Sequence, residues 1–155
     1  MTASAYQRGV ALLELALSLS LLITIVFGIT EFGRAIFQYN TLAKAARDAA
    51  RYLAVRDPSA AGAVADAKCM AVYGNPACTG NALVAGLTTA MVTVCYAADP
   101  ACAATNQSQG AAPVINLVTV TIGGASNPYT FTSAMSFIVP NFDFGAISVT
   151  MRQVL

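Results

Sequence analysis

The chain has no histidine, and Asp, Glu, Lys and Arg together make up only 10% of its 155 residues. Soluble domains usually carry about 25% charged residues, so much of this surface is expected to meet lipid or protein rather than water. Charge is thinnest in the second half. Between Cys69 and Met151 the only members of the Asp, Glu, Lys and Arg set are Asp99 and Asp143. Proton transfer needs positioned titratable groups, and without histidine the plentiful Ser, Thr and Cys have no imidazole to activate them. No catalytic residue, cofactor or metal is therefore assigned. Asp99 and Asp143 would act as a carboxylate pair only if the fold joined them, and two scattered acids without a ligand-spaced loop make a poor calcium site; their expected role is to cap turns. A net charge of +1 leaves no basic footprint for nucleic acid. Proline, finally, is absent from Val10 to Asp57, so nothing there forces a helix to break.

Hydrophobic residues fill much of the space left by the missing charge, at 57% of the chain. From Val10 to Ile29 only Glu14, Ser18, Ser20 and Thr24 interrupt an apolar run. Twenty residues at about 1.5 Å each cross a hydrocarbon core of roughly 30 Å, so this is a membrane helix candidate facing the lipid bilayer. Glu14 is its anomaly. An ionised side chain there costs about 2.5–3.5 kcal/mol on insertion scales and calls for a partner. Cleavage between Gly9 and Val10 would supply one, because the new α-amine of Val10 would lie one helical turn from the Glu14 carboxylate, within a subunit or between staggered neighbours. A plain signal anchor with Glu14 near the interface is the rival reading.

Residues 1–9 read as a short leader. No small-residue cleavage site follows the apolar run, so the helix itself is expected to be retained. Arg8 alone precedes the run, whereas Arg34 and Lys44 follow it, which opposes a simple positive-inside orientation. Beyond the run, Phe32, Ala35, Ile36, Tyr39, Leu42, Ala43, Ala46, Ala50 and Leu53 recur at helical spacing. One continuous helix over 10–57 is expected, about 70 Å long, with residues 10–30 in the membrane. Gly28 and Gly33 fall where it would leave the bilayer and permit a bend or close helix packing. Glu31 and Arg34 are spaced to pair with each other or with a neighbouring subunit. Lys44, Arg47 and Arg51 share a face, read as solvated rather than as a binding stripe.

The order Gly9, then Val10-Ala11-Leu12-Leu13-Glu14, resembles the processing site of type IV pilins and pseudopilins. With Phe27-Gly28-Ile29-Thr30-Glu31-Phe32-Gly33-Arg34 and Ala45-Ala46-Arg47-Asp48-Ala49-Ala50-Arg51-Tyr52, the first third of the chain resembles the TadE family, minor pseudopilins of the tight-adherence pilus system. The ending Val149-Thr150-Met151-Arg152 is also similar. The resemblance implies cleavage by a prepilin peptidase between Gly9 and Val10 and residence in the bacterial inner membrane as a single pass. It further implies work with an inner-membrane assembly platform and other pilin subunits in pilus biogenesis and adhesion. Glu14 would guide assembly, and Leu13, Leu17, Leu21, Phe27, Gly28 and Gly33 would pack helix on helix. Ser20 departs from the pattern, since these proteins often carry proline there; the departure leaves the cleavage site intact and puts a helix kink in doubt.

Residues 58–155 are expected to form a small exported α+β domain. Cys69, Cys78, Cys95 and Cys102 all lie beyond the apolar run, and an even number in an exported domain points to disulfides and to a C-terminal part outside the cytoplasm. Four cysteines allow three connectivities; the local pairs Cys69 with Cys78 and Cys95 with Cys102 are favoured, each closing a short loop that contains Pro76 or Pro100. Their spacings are too wide for the usual zinc knuckles. Asp57-Pro58 ends the long helix and is placed to start a second one, through Ala61, Val64, Ala65, Lys68 and Val72, stopped by Gly74. Asn75-Pro76 turns the chain, and 81–90 is ambiguous. Strands are expected at 91–96, 114–122, 129–133 and 146–154; in two of them apolar and Thr or Ser residues alternate, which calls for a sheet covered on one face by the outer half of the long helix. The turn Gly123–Pro128 is expected to join two strands as a hairpin, and 103–112 to be a polar loop.

The fold expected is thus α+β and pilin-like, a long N-terminal helix on a small antiparallel sheet. Three functions compete. The first is a pilin or pseudopilin subunit, whose filament would carry it outside the cell. The second is a permanently membrane-anchored component that binds a secretion partner through its outer domain. An anchored enzyme is the third and has the least support, for want of histidine.

Overall fold

The computed structural model describes residues 3–107 and 115–154, with side chains described from Gly9 onward. Helix α1 runs Ala3–Ala54, so the helix opens before Gly9. It continues without a break through Ser20, whose hydroxyl donates to the Leu17 carbonyl within the helix. The chain divides into two compact units. One holds α1 up to Ile36 together with Thr132–Asn141; the other holds Phe37–Phe131 and the segment from Phe142 on.

In the second unit the outer part of α1 is the hydrophobic cover. Leu42, Ala45, Ala46, Ala49, Ala50 and Leu53 are buried in one cluster with Val92, Val94, Val118, Val120 and Ile122. Four of those helix positions are alanine, so the cover is made mostly of small side chains. The buried stripe differs from the one expected at its membrane end: Phe32, Ile36 and Tyr39 are exposed, whereas Glu31 and Ala35 are buried. Helix α2, Ala63–Tyr73, starts later than Asp57-Pro58 implied. Asp57 Oδ1 instead accepts the Ser59 amide, and turns carry the chain to Gly62, whose φ of 87° only glycine adopts cheaply and which serves as the N-cap. Gly74 ends α2, and the Asn75 side chain then brackets the following turn through Thr79.

The segment 81–90 is mostly turns, passing into a 3₁₀ turn, Thr89–Met91, before strand β1, Val92–Tyr96. A short helix, α3, spans Ala103–Asn106 where a polar loop was expected; the rest of that loop, 108–112, lies outside the described residues. Strands β2, Leu117–Ile122, and β5, Ile147–Arg152, complete an antiparallel sheet in the order β1-β2-β5. The alternation has its expected effect. Val118, Val120 and Ile122 are buried under α1, and on the other face Thr119 and Thr121 exchange hydroxyl hydrogen bonds with Thr150 and Ser148 at 2.9 and 2.7 Å.

The hairpin expected around Gly123–Pro128 does not form. β3, Thr130–Phe131, pairs with β4, Phe142–Asp143, in a separate two-stranded sheet. Gly123, at φ 67°, gives its amide to Met91 and turns so tightly that an added Cβ would stand 3.2 Å from the Tyr129 nitrogen. The chain therefore leaves the larger sheet at that point instead of folding back along β2. Both disulfides are the local ones, Cys69–Cys78 and Cys95–Cys102. Asn106, 3% exposed, secures α3 with its side-chain amide on the Cys95 carbonyl and Thr119 Oγ1, each at 3.0 Å.

Candidate assembly surface

A helix that belongs to a water-soluble core hides one stripe; among the described residues, α1 from Gly9 to Ile29 hides none. Val10, Leu12, Leu13, Leu15, Leu17, Leu19, Leu21, Leu22, Ile23, Ile25, Val26 and Ile29 are all exposed, and the exposure of consecutive residues means that every side of the helix is apolar and open. The helix is long and apolar enough to cross a membrane. Leu13, Leu17, Leu21, Phe27 and Gly28 fall on one side at 3.6 residues per turn, and Glu14 borders that side. Gly33 falls on the opposite side, with nothing within 4 Å of an added Cβ. Gly28 and Gly33 thus do not make one packing surface. Gly9, Val10 and Glu14 are all exposed on the helix.

At the end of the apolar run the first unit holds a polar cluster. Glu31 is only 4% exposed, and both of its oxygens are used. Arg34 Nη1 donates to Oε1 at 2.7 Å and to Oε2 at 2.9 Å. Oε2 also accepts the Ser133 hydroxyl at 3.0 Å and the Ala134 amide at 3.1 Å. The hydrogen bond from Arg34 is the main reason the Glu31 carboxyl titrates below the ordinary carboxylate range; burial opposes it, and the Ala134 and Ser133 donors add to it. The spacing had offered the pair with Arg34, but not the contact with a segment a hundred residues away. The signal for it was the company Glu31 keeps: Gly28 and Ala35, at i−3 and i+4, put small side chains around a carboxylate on one helix face, which leaves room for a packed loop.

This anchorage makes a prediction. Because the folded carboxyl titrates low, the loop tether is complete at neutral pH and is lost only as pH falls through and below the ordinary carboxylate range. Hydrogen exchange of the full-length protein should show several-fold faster exchange over 132–141 in Glu31→Ala at pH 7, with 92–96 unchanged. Unaltered exchange in that segment would show that the carboxylate does not hold it.

Elsewhere the polar groups serve structure. The Tyr129 hydroxyl donates to the Ala85 carbonyl at 2.8 Å, with Gln38 Oε1 also in reach, and burial pushes its pKa up. Tyr52 donates to Asp66 from α1 to α2. Asp99 accepts the Ala101 amide in a turn, and Asp143 accepts the Thr130 hydroxyl across β3 and β4, so the two acids lie in different elements with different partners. A cleft of about 340 Å³ is lined by residues including Asp57, Ser59, Tyr96, Asn116 and Gln153. Its one carboxylate is already engaged with the Ser59 amide. Among the described residues no three His, Cys, Asp or Glu side chains stand together as a metal site.

No curated protein and no solved structure matches the chain. Its N-terminal part does find a family, although the match stops at residue 51 and so leaves out the Val149–Arg152 ending. Residues 9–51, which hold Glu14, the open apolar run, the Glu31–Arg34 pair and most of the helix face that covers the sheet, match the family described as TadE-like protein.

Proposed function

We propose that this protein is a pilin or pseudopilin subunit of a tight-adherence pilus, built into a filament through the first half of α1. One observation carries the reading: a TadE-like helix whose stretch from Val10 to Ile29 is mostly apolar and open on every side leads into a folded domain with two disulfides. Prepilin peptidase would cut between Gly9 and Val10, and the helix would hold the subunit in the inner membrane with its disulfide-bearing domain outside the cytoplasm. On the assembly platform, Leu13, Leu17 and Leu21 would exchange lipid for neighbouring helices. Glu14 would neutralise the Val10 amine of its own or a neighbouring subunit, removing two charges from the apolar phase together. The role is structural and asks for no catalysis and no cofactor.

The experiment is the intact mass, under non-reducing conditions, of the protein from sheared extracellular filaments and from membranes of the same cells. A filament species that begins at Val10, and is lighter by two hydrogens for each disulfide, is the expected result. Protein found only in membranes, still beginning at Met1 or Thr2, would overturn the reading in favour of a permanently anchored component that binds its partner through the outer domain.

A further inference from the structure

The segment Thr132–Asn141 connects β3 to β4 in sequence but belongs to the same unit as the apolar half of α1. Its sequence, Thr-Ser-Ala-Met-Ser-Phe-Ile-Val-Pro-Asn, carries no charged side chain. Its neck is closed by the Ser133 amide on Asn141 Oδ1 at 2.9 Å and fastened to Glu31 by Ser133 and Ala134. From that neck the loop reaches back along the helix. Ile138 Cγ2 stands 4.0 Å from where a Cβ on Gly28 would be, nearly one turn closer to the apolar run than Glu31. At the tip, Phe137 is 84% exposed.

The geometry points to this loop as a second membrane contact, which dips Phe137 and its apolar neighbours into the interfacial layer of the bilayer that α1 crosses. The inference rests on the membrane reading of α1. Lipid is the occupant because of where the loop lies: Ile25, Val26 and Ile29, on the turn of α1 around Gly28 that Ile138 reaches, are exposed as well, so the phase that bathes them bathes the tip. Irregular chain in an apolar layer must satisfy its own amides. Here the neck and the far arm meet that demand: the amides of Ser133, Ala134 and Met135 are taken by Asn141, Glu31 and the Ser133 hydroxyl, those of Ile138 and Val139 go to the Met135 carbonyl, and Pro140 has none to satisfy, which leaves the tip amides at Ser136 and Phe137 for the hydrated interfacial layer. An uncharged loop with an aromatic tip, pinned by a buried carboxylate at the end of a membrane run, acts as a depth stop for the helix.

The chain has no tryptophan, so Phe137→Trp places a single indole at the tip, at a position exposed enough to accept it. The full-length variant is reconstituted in phosphatidylcholine vesicles with bromine at shallow or deep acyl positions; Leu21→Trp serves as the membrane control and Val55→Trp as the outer control. The expected result is blue-shifted emission from Phe137→Trp and loss of its intensity, greater with shallow than with deep bromines, while Val55→Trp is not quenched. Water-like, unquenched emission from Phe137→Trp beside a quenched Leu21→Trp would overturn the loop contact and leave the membrane helix standing. Blue-shifted but unquenched emission would also overturn it, by placing the tip against protein. An unquenched Leu21→Trp would remove the membrane reading itself.

Discussion

Replacing Glu14 by Ala is expected to abolish sheared filaments while the protein still enters the membrane at normal or raised levels. Both halves of that result come from one side chain. Glu14 stands in an otherwise apolar stretch of α1 and is exposed there, so in the membrane it is a cost of about 2.5–3.5 kcal/mol that the Ala variant escapes. With the proposed cleavage before Val10, the amine would be a second charge in the same phase, and Glu14, four residues on, would be the group placed to neutralise it. Without Glu14 every subunit would carry an uncompensated cation into the packed helices. A helix has no hydration to offer there, so the loss is expected to be complete rather than graded. Quantitative recovery of normal filament from Glu14→Ala, with membrane levels and leader removal measured in the same cells, would remove Glu14 from the assembly mechanism. Glu14→Asp keeps the charge on a shorter stem and should recover part of the yield; an equal failure of Asp and Ala would point to geometry rather than to charge.

The features legible from residues alone were those set by local chemistry. A helix over most of 10–57 needed only the 3.6-residue period and the absence of proline, and α1 ends at Ala54. The sheet face needed only the alternation in 118–122 and 147–151, since one-residue spacing decides which side chains turn toward the helix. The disulfides followed from short intervals between cysteines. Features that depend on distant partners were not legible. Large apolar residues at Phe32, Ile36 and Tyr39 look like a core stripe, but a helix that leaves lipid exposes such residues, and burial went to Glu31 and Ala35. The buried face nearer the sheet was partly hidden as well, because Ala45 and Ala49 carry little hydrophobic weight yet are buried. β3 and β4 are two residues each, too short for any periodic signal, and nothing around 123–128 says which strand the next one will join.

The aromatic residues flanking the 132–141 loop carry the second large effect: Phe131→Ala should destabilise the outer domain by about 3–5 kcal/mol, the range for emptying a buried phenylalanine site. Phe131 is 0% exposed, and its ring lies 5.2 Å from Phe142 and 6.2 Å from Phe144, centroid to centroid. Phe144 in turn stacks on Tyr129 at 5.7 Å and meets the edge of Tyr39 on α1 at 5.8 Å, so one ring removed from β3 leaves a void in a cluster that reaches the helix. Collapse into that void is opposed by the pairing of Phe131 with Phe142 and by Tyr129, fixed by its hydrogen bond to Ala85. The cost should therefore stay near the cavity limit instead of relaxing toward the smaller transfer value. For a domain of this size, about 4 °C or more of melting temperature per kcal/mol implies a fall of more than about 10 °C in thermal unfolding of the detergent-solubilised full-length protein. Phe137→Ala removes the same atoms from an 84% exposed site and should shift the transition by less than about 0.5 kcal/mol. If the two variants melted together, Phe131 would not be the buried centre of this cluster, and the small β3–β4 sheet would owe its stability to its backbone pairing alone.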